Sequence, residues 1–521
     1  MEHDGVTALD VRTLLRRSAQ FNGDRLAVVA SGQRLSFGAM WERAVRCANG
    51  LAAEGLAPRD KIAVLEDNGL AAMDFYLAAA AGNFCRVPLY ARNRTESHVH
   101  MLRNSEARAV VVDESHLPEL DGVLSAVPTL EKVIVRDAGY EEWLAAQSAD
   151  DPDPTIEPDD LFVIRYTGGT TGEPRGVATS HEKWCRGARD WFYLFPPVAP
   201  ADPVLHVGPI SHGSGYTVLP VWVAGGTQVL VAGLTPAQVV DILGRERIAY
   251  TFMPPTLLNM LCHVPDVGSR DFSALKTLFV GASPISEDTI ASARATFGDH
   301  RLWQLYGGTE ACPNAGMGPA EWFAEIEGSN PLRAAGRLFP WTELELRDDD
   351  GRPVAVGEEG EVWVRSDNSA AQFHRSPEET AERIRDGWVA VGDIGRLDRN
   401  GYLYLVDRKN DMIVSGGFNI YPSELENVIA DHPDVLEVAV FGVPSDRWGE
   451  TPMAVCTVVE GATVTESDIQ RLVSDRVGSY KKPSHVRFQT DPLPKSAVGK
   501  LLRRALREPF WEGRERRVSG S

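Results

Sequence analysis

Tyr166-Thr-Gly-Gly-Thr-Thr-Gly-Glu-Pro-Arg-Gly-Val177 gathers four glycines, three threonine hydroxyls and one guanidinium into twelve residues. Glycines at 168, 169, 172 and 176 open backbone angles closed to other residues, so main-chain N–H groups can converge on an anion. Thr167, Thr170 and Thr171 add hydroxyl donors, and Arg175 adds charge. The preceding Leu161-Phe-Val-Ile164 reads as a buried strand, which sets the loop at a sheet end, where open α/β folds bind ligands. It is not a Walker loop, because no Gly-Lys-[Ser/Thr] follows at the required spacing. On these residues alone a plain surface turn stays open beside a phosphate site.

A chain of 521 residues buries roughly three quarters of its unfolded surface, enough for a large core and a second domain. Its 73 acidic and 53 basic residues give a formal net charge of −20, which argues against nucleic acid or an anionic membrane as partner. Any anionic ligand must then meet local basic groups. The six cysteines form no C-x-x-C pair, so neither a disulfide framework nor a zinc site is indicated, and a reducing cytoplasm fits. Met1-Glu-His-Asp-Gly5 lacks the basic-then-apolar pattern of a signal peptide. The alanine-rich run from Ala71 to Gly82 is too short to span a bilayer and reads as a buried core helix.

From Leu26 to Val135, β-rich runs (62–65, 109–112, 133–135) alternate with helical patterns (37–54, 96–104), which implies βαβ units and a mainly parallel sheet. The pattern resumes from 204 to 280, with strands at 227–231 and 278–280 around a helix at 237–246. Between 343 and 407, turn signals at Asp350-Gly351, Asp386-Gly387 and Asn400-Gly401 separate β-rich segments, a smaller antiparallel layer. A compact α+β pattern follows the charged Asp407-Arg-Lys-Asn-Asp411, with a helix from Ser423 under a Ser423/Glu426 capping box and strands at 438–441 and 453–459. The domain boundary is placed near 408–411, giving domains 1–408 and 409–521.

Four further segments extend the chemistry of the loop. Gly281-Ala-Ser-Pro284 follows a strand with residues small enough for a flat ring to lie against backbone; an ordinary turn is the alternative. Gln304-Leu-Tyr-Gly-Gly-Thr-Glu310 offers an aromatic face, two glycines, a hydroxyl and a carboxylate, the groups a nucleotide with Mg²⁺ needs. Glu310 can equally sit as a helix N-terminal acid. Asp393, in Gly387-Trp-Val-Ala-Val-Gly-Asp393, can accept from ribose hydroxyls or cap a turn. Lys500, in Pro494-Lys-Ser-Ala-Val-Gly-Lys500, sits on a glycine-bearing loop ahead of a helix, from which an ammonium can reach a distant cleft.

Taken together, these segments make residues 10–510 resemble the adenylate-forming enzymes, the superfamily of acyl-CoA and aryl-CoA synthetases, firefly luciferase and peptide-synthetase adenylation domains. The resemblance implies an α/β fold: a large N-terminal domain of βαβ subdomains plus a small β-barrel, with a mobile α+β C-terminal domain. It implies that Thr167, Gly168, Gly169, Thr170, Thr171 and Gly172 hold the ATP β- and γ-phosphates with Arg175 nearby. Gly281, Ala282, Ser283 and Tyr306 would flank adenine, Gly307 and Gly308 would also contact ATP, Thr309 would reach the α-phosphate, Glu310 would hold Mg²⁺, and Asp393 and Arg408 would bind ribose. Lys500 would bridge the carboxylate and the α-phosphate. A rotation about Asn410 would then bring a CoA tunnel past Gly416 and Gly417 to the adenylate. Relatives usually carry Asp or Lys at the hinge, lysine at 175 and serine at 168, so the chain departs at three positions.

For the activated group, the resemblance points to His212 in Pro209-Ile-Ser-His-Gly-Ser-Gly215 as a gate to the carboxylate pocket. The same segment has no aspartate to pair with an α-ammonium, which argues against a plain α-amino acid. Trp191, Tyr216, Met253, Gly281, Gly308 and Met317 are the other expected walls, two or three of them core packing instead. An acid:CoA ligase for a small aromatic or fatty carboxylate is the leading expectation. Loading of a carrier protein, activation of nitrite to diazotise an arylamine, and a non-catalytic nucleotide-binding regulator are the alternatives; the retained Glu310, Asp393, Arg408 and Lys500 speak against the last. Relatives imply a monomer or homodimer.

Overall fold

The computed structural model describes residues 9–89, 95–167, 174–194, 196–283, 285–408, 411–415, 418–445, 447–495 and 501–512. The chain divides into two compact units: residues 1–324 with 336–343 and 364–389, and residues 325–335 with 344–363 and 390–521.

One sheet of the first unit orders its strands Lys132–Arg136, Ala109–Asp113, Lys61–Leu65, Cys85–Pro88, Leu161–Thr167 and Arg175–Ser180. The first five run parallel and the last pair is an antiparallel hairpin. The expected crossover helices are present as Phe37–Ala53, Leu70–Ala81 and Thr95–Ser105. Leu70–Ala81 has no polar face to offer water, and all its residues but Ala71 are buried. Its one charge, Asp74, is paired to Arg43 at 2.7 Å.

The second sheet of this unit has a parallel centre, Leu26–Ala30, Thr227–Leu230, Pro203–His206, Tyr250–Met253, Thr277–Gly281 and Leu302–Tyr306 in spatial order. Leu26–Ala30 thus leaves the sheet of its sequence neighbours and pairs Val28 with Gln228. Next to Leu302–Tyr306 the short strand Ala315–Met317 returns antiparallel.

Two of the histidines sealed in this unit, His206 and His181, have shifted titrations. His206 Nε2 meets Gln228 Oε1 at 2.6 Å, and His181 Nδ1 accepts from the Val11 N–H at 3.3 Å. Burial pushes both imidazoles down to about 4. Above pH ~6.5 both are neutral folded or unfolded, so they do not oppose folding. As pH falls from ~6.5 to ~4 the unfolded chain takes up the protons and stability drops, by up to ~3 kcal/mol for each imidazole. NMR titration should find both rings neutral at pH 5.5; a midpoint near 6.5 for either would contradict this burial.

The second unit takes most of the strands Glu343–Arg347, Glu359–Arg365, Trp388–Leu397 and Tyr402–Arg408, side by side in that order, which is the expected small β layer. Its C-terminal part packs Pro422–Ala430 and Glu466–Val477 on a sheet that includes Val435–Ser445 and Gly449–Val458, through Leu425, Ile429, Val440, Ile469 and Val473. The expected capping box does not form. Pro422 has the fixed φ suited to a first helical position, so the helix starts one residue early with Tyr421 as N-cap. Ser423 Oγ instead donates to the Val406 carbonyl at 2.6 Å, and Glu426 Oε1 accepts from the Val440 N–H at 2.8 Å. The boundary expected at 408–411 falls within this unit.

Candidate active site

The Gly/Thr loop is held by the hairpin on which it sits. Ladder pairing places Thr167 directly opposite Arg175 and Tyr166 opposite Gly176, closing the loop's ends on each other. A Cβ on Gly176 would meet Ile164 Cγ2 at 3.0 Å and Tyr166 Cζ at 3.1 Å, so any larger residue would have to push these side chains aside. Arg175 is buried and lies 2.9 Å from Glu379, which also stands 3.7 Å from Arg383. Gly168, Gly169, Thr170, Thr171 and Gly172 lie outside the described residues.

Two neighbouring parallel strands deliver the next groups. Thr277–Gly281 and Leu302–Tyr306 pair Gly281 with Leu305 so tightly that a Cβ on Gly281 would meet the Leu305 carbonyl oxygen at 2.5 Å. Ala282 then takes a left-handed turn at φ 71°, unusual for a residue with a side chain, and carries the chain to Ser283. Tyr306 is buried at the end of its strand. Past it, the Gly308 N–H donates to the Ala311 carbonyl at 2.8 Å, the Thr309 carbonyl accepts from Arg165 at 3.3 Å, and the Glu310 carbonyl accepts from the Ala370 N–H at 2.7 Å. These bonds fix a tight loop over Gly307–Glu310. The Glu310 side chain is only 9% exposed, yet among the described residues its carboxylate has no hydrogen-bond partner and no cation within 4.0 Å. A buried carboxylate left open in this way has the chemistry of a hard oxygen ligand for a cation.

Asp393 and Arg408, fifteen residues apart, are directly opposed in the antiparallel ladder of Trp388–Leu397 and Tyr402–Arg408. Asp393 is buried. Lys500, Asn410, Gly416 and Gly417 lie outside the described residues.

The expected pocket walls separate into groups. Trp191 lines a mainly apolar slot, about 470 Å³ counting its open mouth, with Tyr250, Phe252, Phe279, Val204 and Val221. Phe279 meets Trp191 edge-on, ring centroids 5.6 Å apart. His212 is half-buried in two successive turns, its Nδ1 3.2 Å from Ser211 Oγ. Tyr216 faces a different cavity, stacked on Trp184 at 5.5 Å with its hydroxyl 3.4 Å from the Gly308 carbonyl. Met253 and Met317 are buried and line neither cavity.

Arg165, Lys183 and Trp184, which belong to none of the motifs above, also line this second cavity. Arg165 had a signal: it is a lone charge in the strand that ends at the Gly/Thr loop, and it is 5% exposed. Cys312 also borders this region, but burial pushes its thiol up to about 12, so it is no nucleophile at neutral pH.

The profile of the AMP-binding enzyme family matches residues 15–373, and that of the AMP-binding enzyme C-terminal domain matches residues 424–500. The chain is 33% identical over 500 residues to a feruloyl-CoA synthase of an Amycolatopsis species, covering 95% of this chain and 98% of the relative. It is 30% identical over 511 residues to the fatty acid–[acyl-carrier-protein] ligase ScoC of Streptomyces coeruleorubidus, covering 96% of each. Among solved structures it is similar to the amide bond synthetase McbA from Marinactinospora thermotolerans, at TM-score 0.85 and 27% identity over 96% of this chain and 100% of that one. The anthranilate CoA ligase AuaEII, at 22% identity and TM-score 0.87 over 98% and 99%, shares the fold. The chain belongs to the AMP-binding enzymes, the adenylate-forming ligases.

No helix among the described residues is long and apolar enough to cross a membrane.

Proposed function

We propose that the protein joins a small aromatic or fatty carboxylate to AMP at the expense of ATP, releases pyrophosphate, and passes the acyl group to CoA. The observation that carries the reading is the open, buried carboxylate of Glu310 on the loop after Leu302–Tyr306. Glu310 fits Mg²⁺, which would neutralise phosphate charge when bound; no group of three or more His, Cys, Asp or Glu among the described residues forms a metal cluster, so phosphate oxygens would complete the coordination.

Attack of a carboxylate on the α-phosphorus brings two anions together, so cationic groups that meet the developing charge supply most of the rate. Thr167 and Arg175, held opposite each other, would grip the leaving pyrophosphate together with the loop residues between them. Gly281 to Ser283 and Tyr306 to Gly308 would border adenine, and Thr309 the α-phosphate. Asp393 and Arg408 would bind the ribose hydroxyls, and Lys500 would hold carboxylate and α-phosphate together. Rotation about Asn410 would then withdraw Lys500 and admit the thiol past Gly416 and Gly417, with His212 at the gate. The slot around Trp191, Phe252 and Phe279 suits an aryl ring or alkyl chain.

The likeness to ScoC supports a second reading, in which the acceptor thiol belongs to an acyl carrier protein. AMP release measured against a panel of carboxylates and nitrite, each with and without CoA, tests both. CoA-stimulated AMP release with an aryl or fatty acid is the expected result. Adenylation indifferent to CoA would move the acceptor to a carrier protein, and AMP release needing nitrite and an arylamine would replace the carboxylate.

A further inference from the structure

We infer that a second cavity, beside the Gly307–Glu310 loop, is a binding site for a small oxyanion group held between Arg165 and Lys183. The cavity, about 350 Å³ including its open mouth, is lined by Arg165, Thr179, Lys183, Tyr216, Thr309 and Asn368 among others, and shares no lining residue with the apolar slot.

Its two cations, Arg165 buried and Lys183 half-buried, have no counter-ion among the described residues. Arg165 lies against the faces of Tyr216 and Trp184, 4.3 and 5.0 Å from their centroids, and spends one Nη2 bond on the Thr309 carbonyl. Its Nε is buried with no hydrogen-bond partner. Lys183 donates to the Ser369 carbonyl, and burial pulls its ammonium below the usual lysine range. Among the described residues no carboxylate, Glu310 included, comes within 4.0 Å of either cation. Of the acids nearest Lys183, Glu182 is engaged by Arg186 at 2.5 Å, Asp367 by Arg189 at 3.1 Å, and Asp159 lies beyond 4.0 Å; Asp190 is held by Arg189 at 2.9 Å and by the Asn368 amide at 2.7 Å.

Uncompensated buried charge opposes folding, and a family of well-paired ions around it makes the omission specific to these two. A planar oxyanion would accept from the Arg165 guanidinium through one oxygen and from the Lys183 ammonium through the other. Thr309 on the wall puts the site beside the loop assigned to the α-phosphate, so its occupant belongs to the reaction: a second carboxyl on the acid substrate, or a free inorganic oxyanion. That placement rests on the adenylation reading, whereas anion binding does not.

The full chain is titrated with acetate, succinate and nitrite at constant ionic strength, with chloride as control, and followed by calorimetry and thermal shift. Saturable oxyanion binding, weakened about tenfold or more in Lys183→Met, is expected. Because Lys183→Met removes a half-buried charge that has no counter-ion among the described residues and keeps the stem, its anion-free melting temperature should stay at or near that of the parent, which separates a lost site from a damaged fold. AMP release that prefers a dicarboxylic acid to its monomethyl ester identifies the substrate's own carboxyl; AMP release with nitrite alone identifies the free anion. Binding no stronger than that of chloride, or unchanged in Lys183→Met, overturns the site. Lys183-dependent binding without pyrophosphate exchange for any acid would keep the site and overturn the adenylation reading.

Discussion

Lys500→Ala should lose ATP–pyrophosphate exchange by about 10²–10³-fold, the usual effect of removing one group that meets transition-state charge. Thioester formation from pre-made acyl-adenylate should largely survive. The asymmetry is the substance of the prediction, because the first half-reaction must join two anions and the second has a neutral thioester to form. A lysine that merely braced the fold would damage both halves, and the ratio of the two rates read in one preparation tells these cases apart. Equal loss of both would remove Lys500 from the chemistry.

Gly215→Ala should be the most damaging single-methyl change in the motif that carries His212 and Tyr216. A Cβ at 215 would lie 1.9 Å from the Ile210 carbonyl oxygen, a backbone atom in a turn already closed by bonds from the Gly215 N–H to the His212 carbonyl at 2.9 Å and from the His212 N–H to the Pro209 carbonyl at 3.0 Å. The turn must open, at a cost on the order of 3 kcal/mol or more. Opening it moves His212 and Tyr216, so exchange activity should fall with the melting temperature. Gly213→Ala makes a matched control, since its Cβ would meet only the edge of the Phe252 ring at 2.9 Å, a side chain that can turn aside. A Gly215→Ala protein as stable and active as the Gly213→Ala protein would show that this turn does not hold the site.

Most of what positions the site can be read from local pattern. The run Leu161–Ile164 announces its strand, and Gly176, Gly281, Gly307 and Gly308 announce close approach of neighbouring atoms, because both signals are confined to a few consecutive residues. The partnership of Leu26–Ala30 with Thr227–Leu230 spans about two hundred residues and leaves no trace in periodicity. The start of the Pro422–Ala430 helix turned on one proline, which outweighed a Ser/Glu spacing that fits a capping box. Arg165 and Lys183 were invisible for a different reason. A single charge in a strand or on a helix means little until the acids around it are counted, and here Arg186 and Arg189 have taken Glu182, Asp190 and Asp367. Tyr216 was expected in the acid pocket and stands instead under Arg165, a placement only the tertiary stack with Trp184 decides.

Carboxylate-dependent ATP–pyrophosphate exchange by the full chain, measured with Mg²⁺ and without CoA, tests the central claim most directly. Exchange should be absent with ATP alone and should appear with an aryl or fatty acid. Tight ATP binding with no exchange across a broad panel of acids would contradict it, and would leave the Glu310 loop a nucleotide site without the chemistry proposed for it.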